Sequence, residues 1–383
     1  MDFELWYLIL VPLLFAAGWF ARSFDIKEKQ TIADEKDTLY KGVDLLLSNK
    51  QDQAIDAFIN LVKLDPDTVE MHFSLAGLFR RRGEFDRAIK IHNVLVNRED
   101  LPKKIRSRAL YELGEDYLKA GLWDRAEESF LKLSDTSESY KTIARKELLH
   151  IYETEKEWQK AIDEANIIQR QSGEDQSTRI AQLYCELTQQ NLYFKNFKGA
   201  AEALEKALKV DPNNKRALII KGKMLKAKGD IDGALATWKQ VGQISPAYGT
   251  LVVDQIASLL LEAGRKEEAV QYLEDLFKDG STTDEVDTAG ILLGKAGNSK
   301  EAIALIQEHL KTQPTLVAFY RLIDLRLANE PENESLKQLH GLLKNMLSKA
   351  VRYKCTKCGF ATRKFLWRCP GGHQWETFPP VRQ

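Results

Sequence analysis

Cysteine is scarce in this 383-residue chain, and an excess of either charge is missing altogether. There are four cysteines, and three of them fall within the last 29 residues. That distribution excludes a secreted disulfide scaffold and points to a small metal site at the C-terminus. Lys and Arg number 56 and Asp and Glu 56, so the formal net charge is zero. A protein that grips nucleic acid by its phosphates needs a basic excess, so nucleic acid is not an expected partner. Only 10 prolines and 22 glycines are present, which rules out collagen-like and low-complexity readings. Catalytic signatures are also missing. There is no G-x-S-x-G and no H-E-x-x-H, and His72, His92, His150, His309 and His340 are scattered singly. The stretch Gly290 to Ala296 imitates a phosphate loop. It has three residues between its glycines where four are required, and Ala296 stands where a hydroxyl should meet magnesium. No enzyme is expected.

Long apolar runs are absent too, with one exception. Leu5 to Ala21 contains no charged residue. As a helix its seventeen residues would extend about 26 Å, close to the thickness of a hydrocarbon core. Trp6, Tyr7 and Trp19 sit near its ends, where amphipathic rings favour the interface. The flank before it, Met1 to Glu4, is acidic, which argues against a cleaved signal peptide. Arg22, Lys27 and Lys29 follow the run and no basic residue precedes it. The positive-inside rule then places the bulk of the chain in the cytoplasm, behind a single-pass membrane anchor.

What is present in quantity is a repeat. Gly42, Ala54, Phe58 and Pro66 mark two amphipathic helices. The skeleton returns at Ala76, Phe79, Gly83 and Ala88, then at Gly114, Tyr117, Gly121, Ala126 and Phe130. Further copies run through Tyr152 and Ala161, Tyr184 and Ala200, Gly222 and Trp238, Leu260 and Ala269, and Gly290 and Ala302. The spacing is 34 residues from Ala54 to Ala88 and again from Ala200 to Ala234. A last helical pair over 316–350 lacks most markers. This pattern resembles the tetratricopeptide repeat, in about nine units. Small residues let the two helices of a unit approach, aromatics fill the space between them, and Pro66, Pro212 and Pro246 stop the second helix. One unit cannot bury its own apolar face, so the copies are expected to stack into a superhelix with a groove lined by first helices. By register Arg80, Arg81, Arg108, Tyr111, Lys119, Arg216, Lys223 and Lys226 are candidates to face a partner in that groove. Cys185 also falls on a first helix and reads as a small apolar filler.

The C-terminus carries the metal chemistry. Cys355-x2-Cys358-Gly359 is a ligand-bearing turn, and Cys369-Pro370 follows ten residues later. A partnered turn of the C-P-x-C kind would put a cysteine at 372, where this chain has Gly372 followed by His373. The expected ligand set is Cys355, Cys358 and Cys369 with His373 as the fourth, holding one metal ion, zinc or iron. Residues this few cannot build a core without a staple. Short strands as in rubredoxin are expected. The predicted organisation is an anchor over 1–22, a juxtamembrane linker over 23–36, the repeat array over 37–350 and the metal knuckle over 351–383. The fold class is all-α with a small metal-binding module.

The order of these parts resembles the lipopolysaccharide assembly protein B family over nearly the whole chain. The most specific stretches are Gly42 to Ala54, Leu78 to His92, and the knuckle ending Trp375 to Arg382. The resemblance implies a non-enzymatic adaptor at the cytoplasmic face of the inner membrane, which promotes proteolysis of the deacetylase LpxC by the membrane protease FtsH. It also implies a four-cysteine knuckle, from which this chain departs at Gly372. Other lipopolysaccharide-synthesis or transport proteins, and a second copy of the chain, are further expected partners. Two alternatives stand beside it. One is an assembly platform for lipopolysaccharide enzymes with no role in degradation. The other is an electron-transfer protein with iron in the knuckle.

Overall fold

The computed structural model describes residues 69–277, 282–351 and 353–379, with eight isolated positions between 22 and 54. The expected membrane span, the linker and most of the first helical pair lie outside the described residues. Among the described residues no helix is long and apolar enough to cross a membrane. The chain divides into two compact units, Met1–Ser172 and Gly173–Gln383.

The first unit contains α1 (Val69–Arg81), α2 (Phe85–Val96), α3 (Lys103–Lys119), α4 (Trp123–Thr136), α5 (Lys141–Glu155) and α6 (Trp158–Ser172). They form three antiparallel pairs, and each pair packs on the next. The marker residues supply the core. Ala54, Ala76, Phe79, Ala88 and Ile91 are fully buried in one cluster, and Val69, Leu95, Leu101 and Ala109 form another. Gly114 on α3 shows why a small residue is needed. A Cβ there would lie 2.6 Å from Phe130 Cζ on α4, so the phenyl ring occupies the space a side chain would fill.

The second unit contains α7 (Ser177–Tyr193), α8 (Phe197–Val210), α9 (Lys215–Ala227), α10 (Ile231–Ile244), the single turn α11 (Pro246–Gly249), α12 (Val253–Glu262), α13 (Lys266–Asp275), α14 (Thr283–Lys295), α15 (Ser299–Thr312), α16 (Leu316–Asn329) and α17 (Glu334–Lys349). Five further pairs result, including the markerless last one. Gly222 repeats the Gly114 device: a Cβ there would sit 2.2 Å from Trp238 Nε1, and that indole donates to Ile219 O at 3.2 Å. The phosphate-loop lookalike is part of α14. Its glycines serve packing, with Ile306 against Gly290 and Leu325 against Gly294.

Two short strands close the unit, β1 (Tyr353–Lys354) and β2 (Ala361–Thr362), paired antiparallel with Tyr353 opposite Thr362. The expected knuckle over 351–383 therefore has its strands, but it clusters with the helices of 173–350 in one compact unit.

Candidate functional site: a thiol cluster docked on first helices

The knuckle is built from two turns of one pattern. In the first, Gly359 N donates to Cys355 O at 3.1 Å and Cys355 N donates to Phe360 O at 2.8 Å. In the second, His373 N donates to Cys369 O at 2.8 Å and Cys369 N donates to Gln374 O at 2.9 Å. The correspondence pairs Cys355 with Cys369, Cys358 with Gly372, and Gly359 with His373. Gly359 and His373 even share a left-handed backbone, with φ of 74° and 52°.

Cys355, Cys358 and Cys369 converge so that their three sulfurs lie within 4.8 Å of one another. Tetrahedral zinc bonded to sulfur at about 2.3 Å holds its sulfurs roughly 3.8 Å apart, so the set fits a thiolate-bound metal. Gly372 N donates to Cys369 Sγ at 3.3 Å, and the Thr377 hydroxyl lies 3.4 Å from Cys355 Sγ. Burial pushes the Cys355 thiol up. Hydrogen bonds from Thr377 and from the N–H groups of Cys358 and Lys357 outweigh it and bring the thiol down to about 6, favouring the thiolate a metal needs. The fully buried Phe378 backs the cluster, with Tyr353, Phe365 and Leu366 around it.

The structure does not bring His373 into the ligand group. The convergent group is made of the three cysteines, and His373 is exposed. The pairing of the turns gives the reason. His373 occupies the position that Gly359 holds in the first turn, where the chain reverses, whereas Gly372 stands opposite the ligand Cys358.

The knuckle is seated on α7, α9 and α11. Glu376 accepts from Gln182 Nε2 at 2.8 Å and Lys215 Nζ at 3.0 Å, with Asn214 Nδ2 at 3.5 Å. Trp367 stacks on Tyr248 with ring centroids 5.5 Å apart, and Phe365 meets the same tyrosine edge-on. Arg216 lies beneath both indoles, 5.7 Å from Trp367 and 5.8 Å from Trp375. Its guanidinium pairs with Glu186 at 2.9 Å and reaches Gln182 and Gln189. Only 5% of Arg216 is exposed. It does not face an outside partner; the chain's own C-terminus covers it. Of the other second-unit candidates, Lys223 is exposed and Lys226 is exposed and paired with Glu262 at 2.7 Å. Cys185 is fully buried among Leu204, Ala207, Ala217 and Ile220, and burial pushes its thiol up to about 12.

In the first unit the candidates meet carboxylates. Arg80 Nε contacts the fully buried Asp116 at 2.5 Å, and its Nη2 contacts Glu112 at 2.7 Å. His92 Nδ1 closes on the other Asp116 oxygen at 2.5 Å. Arg108 pairs with Glu70 at 2.6 Å and lies over the Phe73 ring at 4.0 Å. Tyr111 is half-buried against Phe130 and Tyr140, and burial together with Glu115 and Glu147 raises its hydroxyl to about 12. Arg81 and Lys119 are exposed. The docking residues Gln182, Asn214, Lys215, Tyr248 and Glu376 carry no motif, and sequence patterning missed them.

The comparisons follow the same division. The rubredoxin metal binding domain model matches residues 353–380, and the tetratricopeptide repeat model matches 41–100 and 192–246. The chain is 35% identical over 381 residues to lipopolysaccharide assembly protein B of Escherichia coli K12, covering 98% of this chain and 97% of that relative. It is 29% identical over 393 residues to the protein of the same name from Haemophilus influenzae, covering 97% of each. Among solved structures, a tetratricopeptide repeat protein from Parabacteroides merdae is 16% identical and superimposes with a TM-score of 0.33 over 73% of this chain and all of that one.

Proposed function

The chain belongs to the lipopolysaccharide assembly protein B family, and from that membership we propose that it is a non-enzymatic adaptor in lipopolysaccharide biosynthesis, anchored in the inner membrane with its bulk in the cytoplasm. Its partners in this reading are the membrane protease FtsH and the deacetylase LpxC, with degradation of LpxC as the outcome. The observation that carries it is the likeness to a lipopolysaccharide assembly protein along 98% of the chain. The architecture agrees with it. Packed helix pairs present ordered rows of side chains, and the thiol cluster lies in a module seated on the helices of the second unit. Anchoring would hold membrane partners at high local concentration.

Of the eight candidate residues, Arg81, Lys119, Lys223 and Lys226 are exposed, the last in a surface pair with Glu262, and these are the ones a partner would reach. Arg80 is committed to a buried carboxylate and Arg216 to the knuckle. The test is the half-life of LpxC in cells that lack the protein, restored either with the full chain or with Arg81, Lys119 and Lys223 reversed in charge. The expected result is stabilised LpxC on deletion, full rescue by the first and weak rescue by the second. The name of these relatives, an assembly protein, favours the platform as a second reading. An unchanged LpxC half-life together with a lipopolysaccharide defect would select it.

A further inference from the structure

We propose that Gly372 leaves an outward-facing donor position open in the three-thiol site, and that a thiolate from outside the chain fills it. This inference rests on the reading of the knuckle as a metal module.

The hydrogen bonds of the two turns place Gly372 opposite Cys358, at the fourth ligand position. The space confirms the register. A Cβ built on Gly372 would lie 3.7 Å from Cys358 Sγ and 4.0 Å from Cys369 Sγ, in ordinary contact with both. A side chain at 372 would therefore point at the cluster without displacing anything. The backbone does not call for glycine either, because Gly372 is not among the left-handed residues. The vacancy in the donor set is thus local to one missing side chain. It opens outward, since Gly371, Gly372 and Cys358 are all exposed. His373 takes the place that Gly359 holds in the first turn, and the convergent group is made of the three cysteines.

The surroundings choose the ligand. Three thiolates make a soft site, which prefers a soft fourth donor. A fourth thiolate adds negative charge, and the module is basic. Between 353 and 379 it carries Lys354, Lys357, Arg363, Lys364 and Arg368, against the one carboxylate of Glu376. That carboxylate faces the helices and is already paired with Lys215. An anionic thiol such as glutathione, or a cysteine offered by a partner protein, shares the required chemistry. On binding, the thiol would give its proton to solvent and its sulfur would join those of Cys355, Cys358 and Cys369, with no oxidation or reduction. Metal sites closed by protein on all four sides are structural, and an open one exchanges ligands.

The full-length protein is loaded with cobalt in detergent, free of thiol, and its thiolate-to-cobalt absorption is followed while glutathione is added. The expected result is a saturable rise of about a third, three sulfurs becoming four. His373→Ala should keep that rise. Gly372→Cys should begin at the higher intensity, ignore glutathione, and hold metal at least about tenfold more tightly, since changes even beyond the ligands shift affinity by that much. Protein isolated with its membrane partners that already shows the four-sulfur spectrum, and loses it when they are stripped, would assign the thiolate to a partner cysteine. A wild-type spectrum indifferent to glutathione overturns the proposal, and one that also changes in His373→Ala shows that the chain closes its own site. Cobalt bound by neither wild type nor Gly372→Cys would instead overturn the metal reading itself.

Discussion

Two arginines on first helices end in different company. Arg80 in the first unit is met by Asp116 and Glu112 of α3, the next first helix, 32 to 36 residues on. Arg216 in the second unit is met by Glu186 of α7, and then covered by Trp367 and Trp375, which come some 150 residues later. Both sit on first helices, though at different points of the repeat: Arg80 comes three residues before the turn glycine Gly83 and Arg216 thirteen before Gly229. What differs is that a C-terminal module returns to one set of first helices and supplies its aromatic cover. In the first unit the same kind of surface is ionic, with Arg81 and Lys119 exposed. The register of a repeat therefore decides which residues line its inner helices, while the contents of the chain elsewhere decide what those residues touch.

The sharpest way to break this contrast is to unmake the knuckle. Cys369→Ser removes the most deeply buried of the three cluster thiols, and small thiolate–metal modules owe on the order of 10 kcal/mol of folding free energy to their metal. Amide exchange should become fast across 353–379 and around Gln182, Lys215 and Tyr248, while 69–172 keeps its protection. Retained protection in the knuckle would mean that docking alone holds it. Glu376→Ala tests the docking separately. It leaves Lys215 and Gln182 without their half-buried acceptor and should cost about 1–2 kcal/mol in the second unit with the thiol cluster intact.

Next in size is a matched pair of glycines. Gly222→Ala forces a methyl to within 2.2 Å of the Trp238 ring, and Gly114→Ala to within 2.6 Å of Phe130. Overpacking of this kind costs about 1–3 kcal/mol, with part returned by the better helix propensity of alanine. The change at 222 should be the larger, because moving Trp238 also breaks its bond to Ile219 O. Trp238 belongs to the cluster against which Phe365 and Trp367 pack, so this variant should loosen the knuckle as well. Denaturation midpoints give the order, and exchange on 353–379 shows whether the knuckle follows.

These glycines also mark what could be read from sequence. The eight described helix pairs were readable because packing repeats with a period: Ala88, Ala126, Ala161, Ala200, Ala234, Ala269 and Ala302 are all fully buried. The three thiols were readable because ligand spacing is local. Glu376 was not, since its partners lie 161 to 194 residues away and carry no pattern. His373 lies outside the group of converging thiols: spacing alone counts residues, whereas the backbone bonds of the two turns set Gly372 opposite Cys358. The groove list failed at Arg216 for the reason already given: register is local and cover is not.

A smaller effect separates the units by pH. Burial, with Glu115 nearby and Lys119 opposing, raises the Glu147 carboxyl to about 6. A carboxyl raised on folding holds its proton longer in the folded state than in the unfolded one. Stability therefore falls as pH rises from the ordinary carboxylate range through about 6, and is not recovered above it. Since Glu147 stays partly open to solvent, the loss is about 1 kcal/mol after screening. Glu147→Gln should stabilise the first unit by that amount at pH 7 and change little at pH 4.5, read from exchange on α3 and α5. A second unit that responded equally would deny the local origin of the effect.

The smallest expected effect compares the turns inside the helix pairs. Gly121 and Gly229 take φ of 75° and 84° there, but the equivalent residues in two pairs are Lys156 at 62° and Lys195 at 59°. A side chain in the left-handed region costs about 1 kcal/mol, because Cβ crowds the following carbonyl. Replacing it by glycine removes that strain and adds freedom to the unfolded chain, and the second term takes back part of the first. Lys156→Gly and Lys195→Gly should each stabilise by about 0.5 kcal/mol. Lys156→Ala should be neutral, since it keeps the Cβ. The two positions lie one in each unit. Equal gains would show that the units share one turn chemistry and differ only in what covers their first helices. A gain at Lys195 alone would mean that Lys156 contributes something beyond its backbone. The raised midpoint in urea at unchanged slope is the measurement that decides it.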